Sequence, residues 1–230
     1  MPVLHHYPLS AASRFVRLVL SEYGEEATLI DETPWERGEA LLQLNPAGTL
    51  PVMTDDDGAI VVGAPVIGEY LVETRGARLG EDALLPTTPG GRAEARRLVD
   101  WFLGKMEAEV TSYLLTEKVY KRRMPMSQGG GPPDTAAIRA ARANMRYHLG
   151  YVGYLAARRN CLAGDRLTFA DLAAAAALST ADYLGEVPWD EDATAKSWYA
   201  RVKSRPSFRA ILSDVVRGIP AAPHYADLDF

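Results

Sequence analysis

Cysteine is nearly missing from this chain: one thiol, Cys161, stands among 230 residues. That excludes an internal disulfide and a zinc cluster built on thiolates, and it suits a reducing compartment. A lone cysteine is more often a small apolar residue than a nucleophile, and Cys161 is read that way. Basic charge is short as well, with 25 Lys and Arg against 30 Asp and Glu and a net charge of -5. Nucleic acid is therefore not an expected partner, because displacing counterions from phosphate needs a basic face. The most apolar run, Leu172 to Leu178, falls far below the roughly 20 residues of a bilayer span. No direct membrane insertion is expected. Met1-Pro2-Val3-Leu4-His5-His6-Tyr7 has no basic lead and apolar stretch of the kind that directs export, so a cytoplasmic location is expected. His5, His6, His148 and His224 lack metal-ligand spacing, and no metal site is expected. Gly129-Gly130-Gly131-Pro132-Pro133 is followed by no Gly-Lys-Ser/Thr and reads as a flexible connection rather than a phosphate loop.

What is present alternates in period. Val3 to Tyr7 reads as a strand ended by Pro8 and Ser10, and Phe15, Leu18 and Val19 repeat at helical spacing from Ser13 until Gly24. Ala27 to Ile30 reads as a second strand, and Trp35 to Leu44 as a helix stopped by Asn45-Pro46. Pro51 to Thr54 and Ala59 to Val62 flank an Asp-Gly turn as a hairpin, and Gly63-Ala64-Pro65 opens another helix. This order predicts an α/β thioredoxin-like domain over residues 1–78. Residues 76–92 carry four Gly and two Pro, a linker composition, and the linker is placed at 79–92. Residues 93–230 then read as an all-α bundle with a C-terminal tail: long helices over 92–123 and 135–159, shorter ones over 168–184 and 194–217.

Asn45-Pro46-Ala47-Gly48-Thr49-Leu50-Pro51-Val52-Met53 resembles the segment in which glutathione transferases place a cis-proline before their third strand. Leu162-Ala163-Gly164-Asp165-Arg166-Leu167-Thr168-Phe169-Ala170-Asp171 resembles the capping box of that family's central C-terminal helix, with Leu167 and Leu172 as its hydrophobic staple. Together the two motifs and the element order identify the chain as a member of the glutathione transferase superfamily, over nearly its whole length. The resemblance implies a hydroxyl near the end of the first strand that lowers the pKa of a bound thiol. Ser10 is the position that fits, with Ser13 a second candidate and Tyr7 or His6 able to mimic the tyrosine classes. Their plain structural roles are a helix cap for Ser13 and a turn for Ser10.

The family also implies a Glu-Ser pair at the start of the third helix, where the hydroxyl and an amide hold the γ-glutamyl carboxylate and the acid meets the α-amino group. Here Val66-Ile67-Gly68-Glu69-Tyr70-Leu71 keeps the pattern that follows, and Gly63-Ala64 replaces the pair. Losing two charge-assisted hydrogen bonds of about 1.5–3 kcal/mol each weakens binding by about a hundredfold to ten-thousandfold. Glutathione is therefore not the expected ligand and no cofactor is expected; Leu50, Pro51, Gly63 and Ala64 mark a residual site.

A scaffold without its anchor points to a binding protein. The altered pair, the loop after Arg123 and the tail Ile219 to Phe230 resemble the transferase-fold division proteins that bind FtsZ. What this implies is a homodimer that binds FtsZ filaments at the division site, favours their curvature and promotes constriction. The alternative is a glutathione-dependent S-transferase or isomerase using Ser10. Candidate contacts are the basic helix end Lys118, Lys121, Arg122 and Arg123, which would steer an acidic partner, and Trp35, either an exposed anchor or buried against a second copy. Asp227, Leu228 and Phe230 complete the set. A solvated disordered tail rarely carries Tyr225, Leu228 and Phe230 so close together, so it either packs on the bundle or docks on a partner.

Overall fold

A computed structural model describes residues 1–228, so Asp229 and Phe230, one of the tail contacts expected above, lie outside the described residues. Val3–His6 (β1) pairs parallel with Thr28–Asp31 (β2) and antiparallel with Val52–Thr54 (β3), which pairs antiparallel with Ile60–Val62 (β4). The sheet order is β2-β1-β3-β4. Parallel pairing of β1 with β2 requires a crossover, and Ala11–Glu22 (α1) supplies it. Glu39–Leu44 (α2) and Ala64–Arg75 (α3) complete this half. Two expectations need correction here. Ser10, not Ser13, caps α1: its hydroxyl accepts from the Ser13 amide at 3.3 Å. The helix predicted from Trp35 begins only at Glu39, because Arg37 takes a left-handed φ of 46° and Gly38 precedes the first turn. Trp35 therefore lies in a turn.

Thr88 caps a long helix (α4, residues 89–123) whose first turn contains Pro89, so it starts inside the segment read as linker. It runs as α-helix over Pro89–Asp100, continues through π-helical turns at Trp101–Lys105, Glu107–Thr111 and Thr116–Tyr120, and ends over Lys121–Arg123. Ahead of it, Leu84 and Leu85 are buried and the Leu84 carbonyl accepts from the Phe169 amide at 3.0 Å. Thr135–Ala156 (α5) is capped by Asp134, and Phe169–Tyr183 (α6) and Ala193–Lys203 (α7) follow. The single helix expected over 194–217 is interrupted. Arg205 is extended before Pro206, as a pre-proline residue prefers, and the chain resumes as a 3₁₀ turn at Pro206–Phe208 and the short helix Arg209–Leu212 (α8). Among the described residues no helix is long and apolar enough to cross a membrane.

Every residue of α6 is buried, so it is the axis of the molecule rather than an amphipathic surface helix. It packs on α1, on α4 and on α7. Phe15 of α1 meets Phe169 edge to face at 5.5 Å, and Gly68 of α3 keeps that pair close, since a Cβ there would stand 3.3 Å from the Phe169 ring. A helix start buried this deeply has no water for its amides. Protein groups meet them instead: the Phe169 amide donates to the Leu84 carbonyl at 3.0 Å and the Ala170 amide to the Thr168 hydroxyl at 3.2 Å. Asp171 braces this cap: one carboxylate oxygen accepts from the Leu162 amide at 2.8 Å and the Trp198 indole at 3.1 Å, the other from the Thr168 amide at 3.0 Å. The capping box expected at Thr168 and Asp171 is thus present and also ties in α7. Asp171→Ala strands these donors in the core, and we expect it to lower the unfolding free energy in urea by about 3–5 kcal/mol. A loss below about 1 kcal/mol would mean that the box is not the support of α6.

Candidate functional site

The positions implied by the family resemblance come together at the end of β1. Leu50-Pro51 is a cis peptide bond, as expected. The Pro51 carbonyl accepts from the Gly63 amide at 3.0 Å, which seats the start of α3 beside it. Gly63 has φ 89°, a conformation strained for residues with a side chain, and offers no capping atom. Ala64 is buried with its methyl in the core, and Pro65 has no amide hydrogen. The first turn of α3 contains no acidic residue. A carboxylate arriving here meets the positive end of a helix without the hydroxyl or the acidic partner of the usual pair.

The two serines differ in availability. Ser13 is fully buried and its Oγ accepts from the Tyr7 amide at 3.3 Å, whereas Ser10 is half-buried at the cap. Only Ser10 of this pair keeps a hydroxyl within reach of solvent. His6 is buried between Arg17, Arg14 and Asp214, with its Nε2 3.0 Å from Asp31 but without good hydrogen-bond geometry. Burial, helped by Arg17 and Arg14 and opposed by Asp214, pushes its pKa from 6.5 down to about 4. It is neutral at physiological pH. The Tyr7 hydroxyl is buried and lacks a well-formed hydrogen bond; burial raises its pKa and the neighbouring Arg123 opposes the rise.

Tyr7 opens a chain of rings. Tyr120 lies 5.5 Å from Tyr7, Trp35 lies 5.2 Å from Tyr120, and the Arg123 guanidinium sits 5.6 Å from the Trp35 ring. Trp35 is half-buried against its own α4. Beside these residues runs a cleft of about 190 Å³ lined by Tyr7, Asp31, Arg123, Val215 and Arg217 among others. The basic end of α4 is less free than its composition suggests. Lys118 is held by Glu186 at 2.5 Å and by the Leu184 carbonyl at 2.9 Å, and Lys121 by Glu117 at 2.7 Å. Arg122 and Arg123 are the exposed pair.

The tail resolves into two parts. Up to Tyr225 it packs on the bundle: the Ala222 amide donates to the Tyr183 carbonyl at 2.9 Å, and Tyr225 is 1% exposed. Asp227 and Leu228 then stand on the surface. Sequence reasoning missed Arg14, Arg17 and Asp214, which join the end of β1 to the C-terminal segment. Arg17 binds both Asp214 oxygens, at 2.8 and 2.9 Å. The signal was present, since Ser13, Arg14 and Arg17 interrupt an otherwise apolar helix face. Cys161 is half-buried rather than enclosed, and burial pushes its thiol up to about 11, out of the nucleophilic range at neutral pH. Among the described residues no group of side chains is arranged to hold a metal.

Comparison with known proteins agrees with this geometry. The family profile for the glutathione S-transferase N-terminal domain matches residues 9–74, and that for the glutathione S-transferase C-terminal domain matches residues 123–206. The chain belongs to the glutathione S-transferase family. Within it, the chain is 44% identical to the FtsZ-localized protein A of Caulobacter vibrioides (strain NA1000 / CB15N), covering 99% of this chain and 97% of that protein. The solved structure of FzlA from C. crescentus superposes with a TM-score of 0.92 at 44% identity, over 100% of this chain and 99% of that one. The structure described as a glutathione S-transferase from Sinorhizobium meliloti 1021 superposes with a TM-score of 0.97 at 54% identity, over 100% of both chains.

His6 gives this region a pH signature. A histidine held neutral in the fold but free to protonate when unfolded contributes stability that is complete above pH 6.5 and lost as pH falls through the folded value near 4. We expect His6 alone to lower the unfolding free energy by about 2 kcal/mol between pH 7 and pH 5. Urea titrations at the two pH values check it, and His6→Asn should show a shallower pH dependence; an equal slope would contradict the burial assigned to this ring.

Proposed function

We propose that this chain is a transferase-fold adaptor that binds FtsZ filaments, favours their curvature and promotes constriction during bacterial division, acting in the cytoplasm at the division site. The observation that carries the reading is the whole-length similarity to FtsZ-localized protein A. The start of α3 supports it, since Gly63, Ala64 and Pro65 remove the anchor on which glutathione binding in this fold relies. On this reading the contacts are the half-buried Trp35 with Arg122 and Arg123, together with the exposed Asp227 and Leu228. Lys118 and Lys121 keep their internal ion pairs and contribute field rather than contact. The protein works as a homodimer in which α3 and α4 face the second copy. Val66 of α3 is 58% exposed, and Trp101 of α4 lies in an open row of rings with Tyr147 and Tyr151, both supplied by α5. Tyr and Trp are enriched in such interfaces.

The second reading, a glutathione-dependent transferase or isomerase, is favoured by the available Ser10 hydroxyl and by the description of the Sinorhizobium meliloti structure as a glutathione S-transferase. Retention on immobilised glutathione that disappears in Ser10→Ala would support it.

Co-sedimentation with FtsZ polymers tests the adaptor reading. The protein should pellet with filaments at modest salt, and its absence from the pellet would refute the assignment. Trp35→Ala should weaken the association about tenfold or more. Deleting residues 227–230 should weaken it as well while moving the thermal midpoint by less than about 2 °C, because Asp227 and Leu228 are exposed and the buried anchor of the tail is Tyr225. Light scattering at low concentration should return the mass of two chains.

A further inference from the structure

Arg14 carries its guanidinium into a site with no solvent exposure at all. A buried cation is tolerated only where its donors are met. Its Nε donates to the Pro8 carbonyl at 2.7 Å, and its Nη1 donates to Ser179 Oγ at 2.9 Å and to Tyr225 Oη at 3.0 Å. Nη2 makes no hydrogen bond and is compensated by charge alone, 3.5 Å from the Asp214 carboxylate, and the rings of Tyr183 and Tyr225 face the cation at 5.7 and 5.6 Å. Pro8 belongs to the turn after β1 and Ser179 to α6, both parts of the rigid frame. Tyr225 is the hydrogen-bond acceptor contributed by the C-terminal segment, which also brings the Asp214 carboxylate to the cation.

The rest of that segment is fastened around the same point. Tyr183 Oη donates to the Ile219 carbonyl at 2.8 Å and accepts from the Val216 amide at 3.2 Å, while its ring meets Tyr225 at 5.0 Å. Tyr225 Oη passes a further bond to the Ile211 carbonyl at 3.2 Å. His224 lies 2.9 Å from Asp182, whose other oxygen is 3.6 Å from the fully buried Lys203 ammonium. The Asp227 amide donates to the His224 carbonyl at 3.0 Å and closes the last turn. The surface residues Asp227 and Leu228 therefore follow directly on the Tyr225 attachment.

We propose that Arg14 is the positioning residue for the C-terminal contact segment: by pinning Tyr225 it presents Asp227 and Leu228 in one fixed place, so that the filament meets an ordered element rather than a loose peptide. This rests on the reading that the tail touches FtsZ. Releasing the pin returns conformational freedom to the segment, and that freedom must be given up again at binding. Arg14 acts through Tyr225 and need not touch the partner.

Tyr225→Phe keeps the ring buried and removes the hydroxyl; Arg14→Lys keeps the charge and removes the fork, and serves as the second variant. Two readouts on the full-length protein separate positioning from general support: the rate of trypsin cleavage after the exposed Arg217 at the base of the segment, and affinity for FtsZ polymers. With the thermal midpoint and circular dichroism near wild type, Tyr225→Phe should speed cleavage about tenfold and weaken FtsZ binding to a similar degree. Wild-type values for both readouts in both variants would overturn the proposal. Faster cleavage with undiminished affinity would overturn it too, because the pin would then hold the segment without presenting it. A wild-type protein that fails to bind FtsZ would refute the adaptor reading separately, and the cleavage arm would still decide whether Arg14 holds the segment.

Discussion

The N-terminus of α6 lies where water cannot reach, and its cap is held by a single carboxylate, that of Asp171, which accepts from the Thr168 and Leu162 amides. From this one satisfied helix start the rest is built. Because α6 can be buried along its whole length, α1 and α4 can pack on it, the sheet can close over α1, and α7 can be tied in through the Trp198 indole. The far end of the same helix then carries Ser179, Asp182 and Tyr183, which receive Arg14, Lys203 and the C-terminal segment. The capping box is thus a folding device whose reach extends to the tail: without a fixed α6 there is no fixed place for Tyr225.

Against this intact scaffold the start of α3 stands out by its chemistry. The backbone keeps the conformation around the cis bond at Pro51, with Gly63 at φ 89°, yet the side chains that would hold an amino-acid carboxylate and amine are replaced by hydrogen and methyl. A glutamate at Gly63 would bear backbone strain there, of the kind kept at sites with a function; glycine bears none. At Gly63 the absence of strain and the absence of an anchor go together. Groups from distant parts of the chain converge near the end of β1. Arg123 from the end of α4 and Val215 and Arg217 from the loop after α8 line one cleft with Tyr7, and Tyr120 and Trp35 continue the row of rings beside it.

Much of the fold was legible because its signals are local. The Asp-Gly hairpin, the proline at the start of α3, the cis-proline segment and the capping box each depend on a few neighbouring residues, and each lies where the sequence places it. The errors arose where backbone detail decides. Ser10 and Ser13 are both sound caps on paper, and only the turn at Pro8 shows which one is outside the helix. The left-handed Arg37 that removes Trp35 from α2 has no sequence signature, since arginine is rarely found there. At the site, composition identified a basic helix end but could not reveal that Glu186 and Glu117 already hold Lys118 and Lys121, because those pairings are tertiary. The buried Arg14 was visible as a charge on an apolar face; that it reaches across 211 positions to Tyr225 was not.

Calorimetric titration of the purified protein with glutathione measures directly whether the start of α3, with Gly63 and Ala64 in place of an anchoring pair, holds the glutamyl end of that ligand. Loss of the two charge-assisted bonds predicts no saturable heat at submillimolar ligand, a weakening of about a hundredfold or more relative to an anchored site. Micromolar binding with one ligand per chain would contradict the account, and Ser10 would then have to be treated as the working end of an enzyme.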